Sequence, residues 1–90
     1  MTDPLDYRGK TVLVTGSSRG LGAAMIKAFG TRGAKCVVNF ISDPEGKNKA
    51  DADQVAADLN ERLVVDCDVT DPAQVEAMMQ TIAEKFGGLD

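Results

Sequence analysis

Ninety residues, 43% of them apolar and 27% charged, suffice for one small packed domain and not for two. A net charge of −4 with no basic stripe argues against nucleic acid or an anionic membrane as partner. With no histidine, and with Cys36 and Cys67 separated by 31 residues and no CxxC pair, the chain carries no zinc-site or disulfide pattern, and both thiols are expected to be packing residues.

The lead-in, MTDPLDYRGK, has neither the basic nor the apolar region of a signal peptide, and no apolar run approaches the length of a membrane span. A cytoplasmic protein is the expectation. Asp6 to Lys10 reads as a turn delivering the chain into a first strand, β1, over Thr11–Thr15, an apolar run of the kind buried on both faces of a parallel sheet. A first helix, α1, is expected from about Arg19 or Gly20 to Thr31. Leu21, Ala24, Met25, Ala28 and Phe29 recur at helical spacing and are expected to face the sheet, and Arg32-Gly33 closes the helix.

Lys35–Phe40 is the second strand, β2. A loop of Ser, Asp, Pro and Gly then opens a second helix, α2, from about Glu45 or Lys47 to Leu59, with a weak stripe of Ala52, Val55, Ala56 and Leu59. Its first turn, Gly46-Lys47-Asn48, has poor helix propensity and is expected to fray. Arg62–Asp66 is the third strand, β3. Asp71-Pro72-Ala73-Gln74 is a helix start, with Asp71 as N-cap and Pro72 in the first helical position. That helix, α3, carries Val75, Met78, Met79, Ile82 and Phe86 as its apolar stripe and stops at Gly87-Gly88; Leu89-Asp90 approaches a fourth strand. The alternation β-α-β-α-β-α is the half-unit of a doubly wound parallel α/β sheet, with spatial order 3-2-1 from right-handed crossovers.

The chemistry is concentrated where β1 gives way to α1. Gly16, Gly20 and Gly22 follow the strand at G-x3-G-x-G spacing, the device by which bare backbone N–H groups at a helix N-terminus meet a pyrophosphate. A P-loop is ruled out because Leu21, not Lys, follows Gly20. Gly16 serves the sharp strand exit, Gly20 the approach to phosphate, and Gly22 close helix–strand packing. Ser17 and Ser18 read as small polar loop residues; without a histidine neither is an activated nucleophile.

Thr15-Gly16-Ser17-Ser18-Arg19-Gly20-Leu21-Gly22 resembles the TGxxxGxG cofactor motif of the short-chain dehydrogenase/reductase family. Asp66-Cys67-Asp68-Val69-Thr70 is similar to that family's segment after β3, and Phe86-Gly87-Gly88-Leu89-Asp90 to the stretch before its β4. The resemblance implies the N-terminal part of a Rossmann-type domain, three-layered when complete, with the 90 residues a partial domain cut just before β4. SSRGLG with VVNF looks most like the 3-oxoacyl-(acyl-carrier-protein) reductase type. It further implies that residues 16–22, Asn39, Asp68 and Val69 bind the cofactor, the last two framing the adenine. Asp68 can equally cap local backbone.

NAD sites favour a carboxylate at the end of β2, where this chain has Asn39-Phe40, and Arg19 offers a fork of donors to a 2′-phosphate. Arg19 and Asn39 fall where NADP-dependent members hold that phosphate and the ribose, so NADP is expected over NAD. Asn39 also fits a plain strand end. The family's Tyr-x-x-x-Lys pair has no match: the sole tyrosine is Tyr7, followed four residues later by Thr11, so no catalytic residue and no metal ligand is assigned. The resemblance implies a carbonyl or acyl-thioester reductase, homo-oligomeric when whole, with the isolated chain inactive. The alternatives are a non-catalytic nucleotide-binding module or a dead fragment. An S-adenosylmethionine methyltransferase is disfavoured by Asn39, since it too wants an acid after β2.

Overall fold

The computed structural model describes residues 6–90; residues 1–5 of the lead-in lie outside it. Six elements follow the expected order: β1 (Thr11–Val14), α1 (Gly20–Thr31), β2 (Lys35–Phe40), α2 (Lys47–Ala57), β3 (Arg62–Asp66) and α3 (Pro72–Phe86). The strands form one parallel sheet in the order β1-β2-β3, with Val12 beside Cys36 and Val37 beside Leu63. The lead-in turn forms as expected, Lys10 N–H donating to the Tyr7 carbonyl at 3.0 Å.

β2 is the middle strand, and its pleat divides the core. Cys36, Val38 and Phe40 pack with Ile26 of α1 and Ala52, Val55, Ala56 and Leu59 of α2. Val37, on the opposite face, packs with Cys67 and with Met78 and Ile82 of α3. The weak stripe of α2 is thus fully used. Its first turn is held by Asp43, whose carboxylate accepts the N–H groups of Lys47 (3.2 Å) and Asn48 (2.8 Å) from outside the helix. Asp71 caps α3 as expected, accepting the Ala73 N–H at 3.0 Å.

Three expectations are corrected. The face of α1 turned to the sheet is Ala23, Ile26 and Phe29, with Gly22 and Gly30 beside them, while Leu21 and Met25 are exposed. Glycine and alanine carry little apolar weight in a periodicity, yet they let a helix lie closest to a sheet. Gly30 sits so tightly that a β-carbon there would come within 2.7 Å of the Leu59 side chain. Met79 of α3 is likewise exposed. The strand β1 is half-buried over Val12–Val14 instead of buried on both faces. Along its free edge, Asp90 N–H donates to the Thr11 carbonyl (3.0 Å) and the Asp90 carboxylate accepts the Thr11 N–H (2.9 Å). Among the described residues no helix is long and apolar enough to cross a membrane, and no cluster of His, Cys, Asp or Glu is placed to hold a metal. Cys36 and Cys67 are both buried free thiols, and burial pushes both above the ordinary thiol pKa.

Candidate dinucleotide-binding site

All three strands end at one edge of the sheet, and the glycine turn lies there between β1 and α1. Gly16 takes φ +65°, which turns the chain sharply out of β1. Gly22 then lies directly over that exit: a β-carbon on it would stand 2.5 Å from the Gly16 carbonyl oxygen, inside any tolerable contact. The helix axis is therefore held against the strand end by the absence of one atom. Gly20, also at positive φ, would point a β-carbon into open space, so the outer side of the turn is unobstructed.

The N-terminus of α1 is open as well. Arg19 occupies the N-cap without a side-chain cap bond, and no acidic residue stands in the first turn. The first N–H groups of the helix and the positive end of its dipole thus face outward without a side-chain anion to satisfy them. These features, an uncapped helix start beside an unobstructed glycine, fit a pyrophosphate.

Ser17 and Ser18 are buried in the turn instead of presented by it. Ser17 N–H donates to the Asn39 carbonyl (3.0 Å), and Ser17 Oγ accepts the Asn39 N–H (2.9 Å). Asn39 itself is 3% exposed. Its Oδ1 accepts the Gly16 N–H at 3.0 Å and its Nδ2 donates to the Cys67 carbonyl at 3.1 Å. The side chain expected against a 2′-phosphate and ribose is turned inward, because strand alternation puts residue 39 on the same face as Val37.

Arg19 reaches the other way, over α2. It is exposed, donates to Asn48 Oδ1 and pairs with the Asp51 carboxylate at 3.2 Å. Asn48 in turn donates to the Ile41 carbonyl (2.8 Å), fixing its amide beside the loop after β2. Nothing in their sequence context marks Asn48 and Asp51 beyond their place in the first turns of a helix beginning near the end of β2. Asp43, the first acid after that strand, is occupied by α2, and Glu45 pairs with Lys47 at 3.2 Å. Bonds from the backbone of Asn48 and Lys47 hold the Asp43 carboxyl below the usual range.

Beyond β3, Asp68 accepts the backbone N–H (2.9 Å) and hydroxyl (2.6 Å) of Thr70, and these bonds hold its carboxyl below the usual range. The local capping role is therefore filled. The Asp68 N–H donates to Gln74 Oε1 (2.8 Å), while Gln74 Nε2 donates to Asp71, so α3 anchors the segment. Val69, beside it, is exposed. Leu21, the remaining turn residue, is 78% exposed, a large apolar side chain left uncovered next to the open glycine.

Residues 10–90 match the short chain dehydrogenase family. The chain is 40% identical over its whole length to the versicolorin reductase stcU of Emericella nidulans, covering 34% of that protein. It is 36% identical to glucose 1-dehydrogenase 2 of Bacillus subtilis, over 94% of the chain and 33% of the enzyme. A crystal structure of a short-chain type dehydrogenase/reductase from Mycobacterium marinum superposes with a TM-score of 0.79 at 32% identity, covering 96% of this chain and 34% of that one. The chain thus spans about a third of the length of these relatives. Their names divide between a reductase and a sugar dehydrogenase, so the resemblance to the 3-oxoacyl-(acyl-carrier-protein) type is not singled out. With the match running from Lys10 through the glycine turn to Asp90, this chain belongs to the short-chain dehydrogenase family.

Proposed function

We propose that the chain is the part of an NADP-dependent oxidoreductase that holds the adenosine and pyrophosphate end of the cofactor. The carrying observation is the uncapped start of α1 beside the open Gly20, with Arg19 leaning toward the end of β2 and no free carboxylate at that strand end. Backbone N–H groups of Gly20, Leu21 and Gly22 would take the pyrophosphate, with Ser17 and Ser18 shaping the turn. Arg19 would exchange its Asp51 partner for a 2′-phosphate, where a planar fork of donors gains two charge-assisted bonds. Asp68 and Val69 would border the adenine, and Asn39 serves the same site from within.

The chemistry brought by a bound nicotinamide is hydride transfer to or from a carbonyl carbon. Among the described residues nothing is placed to move the accompanying proton. Tyr7 is a packing residue, its ring edge-on to Phe29 with centroids 5.0 Å apart. We therefore assign catalysis to the whole protein and cofactor binding to this partial domain. A carbonyl substrate, an acyl thioester among the candidates, a cytoplasmic setting and self-association of the whole protein complete the reading.

Calorimetric titration with NADPH and NADH tests it. NADPH should bind tighter. Arg19→Ala should weaken NADPH about tenfold to a hundredfold, the range for a charged hydrogen-bonding group, and leave NADH within about twofold. Tighter NADH binding that ignores Arg19→Ala would overturn the choice of cofactor.

A further inference from the structure

We propose that Asn39 is a positioning residue, an amide clamp that sets the glycine turn for either dinucleotide and takes no part in telling NADP from NAD. The proposal rests on the reading that the turn binds a dinucleotide, and goes beyond it by removing the discriminating role from the residue at the end of β2.

One residue ties three segments together. Through its side chain Asn39 accepts from Gly16 and donates to the carbonyl of Cys67 at the exit of β3, and Nδ2 also lies 3.4 Å from the carbonyls of Val65 and Phe40. Through its backbone it exchanges two bonds with Ser17. Asn39 is 3% exposed, and among the described residues every buried side-chain polar atom has a partner, so loss of these bonds would strand a buried amide.

The site needs one acceptor and one donor at the tip of a short side chain, which is what a primary amide supplies. Leucine offers neither. Aspartate keeps the acceptor for Gly16 but, once ionised, loses the donor and points a negative oxygen at three carbonyls. The same residue seen as a reader of the ribose would give the opposite expectation, because a carboxylate there would favour NAD and repel a 2′-phosphate.

Asn39→Asp separates the two, with NADP⁺ and NAD⁺ as probes and wild type titrated at each pH. At pH 8 the clamp predicts that both affinities fall by a common factor of about ten to a hundred, leaving their ratio unchanged. Burial and the facing carbonyls raise the new carboxyl above its ordinary value. The other ionisable groups on the enclosing segments are Arg19 on the turn and Asp66, Cys67 and Asp68 at the β3 exit. Burial first, and then the charges of Asp68, Asp66 and Asp71 at the start of α3, already push the Cys67 thiol up. A protonated acid again donates to the Cys67 carbonyl, so the loss should shrink as pH is lowered toward 5.5. Ser17→Ala, which strands the Asn39 N–H, should give the same parallel loss with no recovery at low pH.

Amide hydrogen exchange without cofactor reads the clamp directly. Exchange at the Gly16 N–H should quicken about tenfold or more in Asn39→Asp at pH 8, beyond the change at exposed amides, and slow again at pH 5.5. Unchanged Gly16 exchange, or NADP⁺ affinity falling while NAD⁺ affinity holds or rises, would overturn the proposal. Failure of wild type to bind either dinucleotide would instead defeat the cofactor reading and leave Gly16 exchange to decide the clamp. Should Asn39→Asp not fold, Ser17→Ala carries the same comparison of ratio and exchange.

Discussion

Gly22 and Gly20 make a pair of substitutions that the turn should answer differently. Alanine at Gly22 must displace a backbone carbonyl, since the new carbon would lie 2.5 Å from the Gly16 oxygen and that oxygen cannot swing aside like a side-chain tip. The helix must lift from the strand end, at a cost in the range of about 1–3 kcal/mol for overpacking. Alanine at Gly20 meets no neighbour and suffers only its positive φ, about 1 kcal/mol. Urea denaturation should therefore rank Gly22→Ala well below Gly20→Ala, and dinucleotide titration should show Gly22→Ala weakened through a displaced turn. Glycine spacing is legible in a sequence because few other residues can stand there. Asn39 is less legible, since a polar residue at a strand end looks the same whether it meets a ligand or its own backbone. The pleat held the answer: counting in twos along Lys35–Phe40 puts Asn39 with Val37, on the face that α3 covers.

The helices differ in where their starts are secured. In α3 the cap is the residue in sequence register, Asp71, and Asp71→Ala should cost about 1 kcal/mol. In α2 the N-cap position is Gly46, without a side chain, and the accepting carboxylate comes from Asp43 three residues earlier. An Asp-to-backbone bond formed across a loop leaves no fixed spacing to find, which is why the start of α2 reads as frayed from its residues alone. Because the fold lowers the Asp43 carboxyl below its ordinary 3.8, the folded state binds this proton less readily than the unfolded chain. Its support is present above about pH 3.8 and is lost as pH falls through the lower, folded value. Amide exchange or helical circular dichroism should show α2 loosening on that acid limb, and Asp43→Asn should flatten it. The stripe of α1 escaped for a related reason: Leu21 and Met25 dominate a count of apolar weight, while Gly22, Ala23, Ile26 and Gly30 make the contact.

At the scale of the molecule, β2 belongs to both halves of the core, one face packed under α1 and α2 and the other under α3. Ile26 anchors the first half at 0% exposure and Ile82 the second at 1%. Truncation of either to alanine removes a buried side chain and leaves a cavity, at about 2–5 kcal/mol each. Were the halves independent, Ile82→Ala would melt α3 off a sheet that otherwise survives, giving two urea transitions. They share a strand whose backbone is hydrogen-bonded on both sides, to β1 and to β3, and whose consecutive side chains alternate between the two clusters. Losing one cluster exposes half of the same six residues that the other needs ordered. Ile26→Ala and Ile82→Ala should each shift a single cooperative transition to lower urea without splitting it, with fluorescence of Tyr7 and far-ultraviolet circular dichroism coinciding. Separation of the two probes in Ile82→Ala would show α3 to be a detachable layer, and would confine the cooperative unit to the α1 and α2 face on which the glycine turn depends.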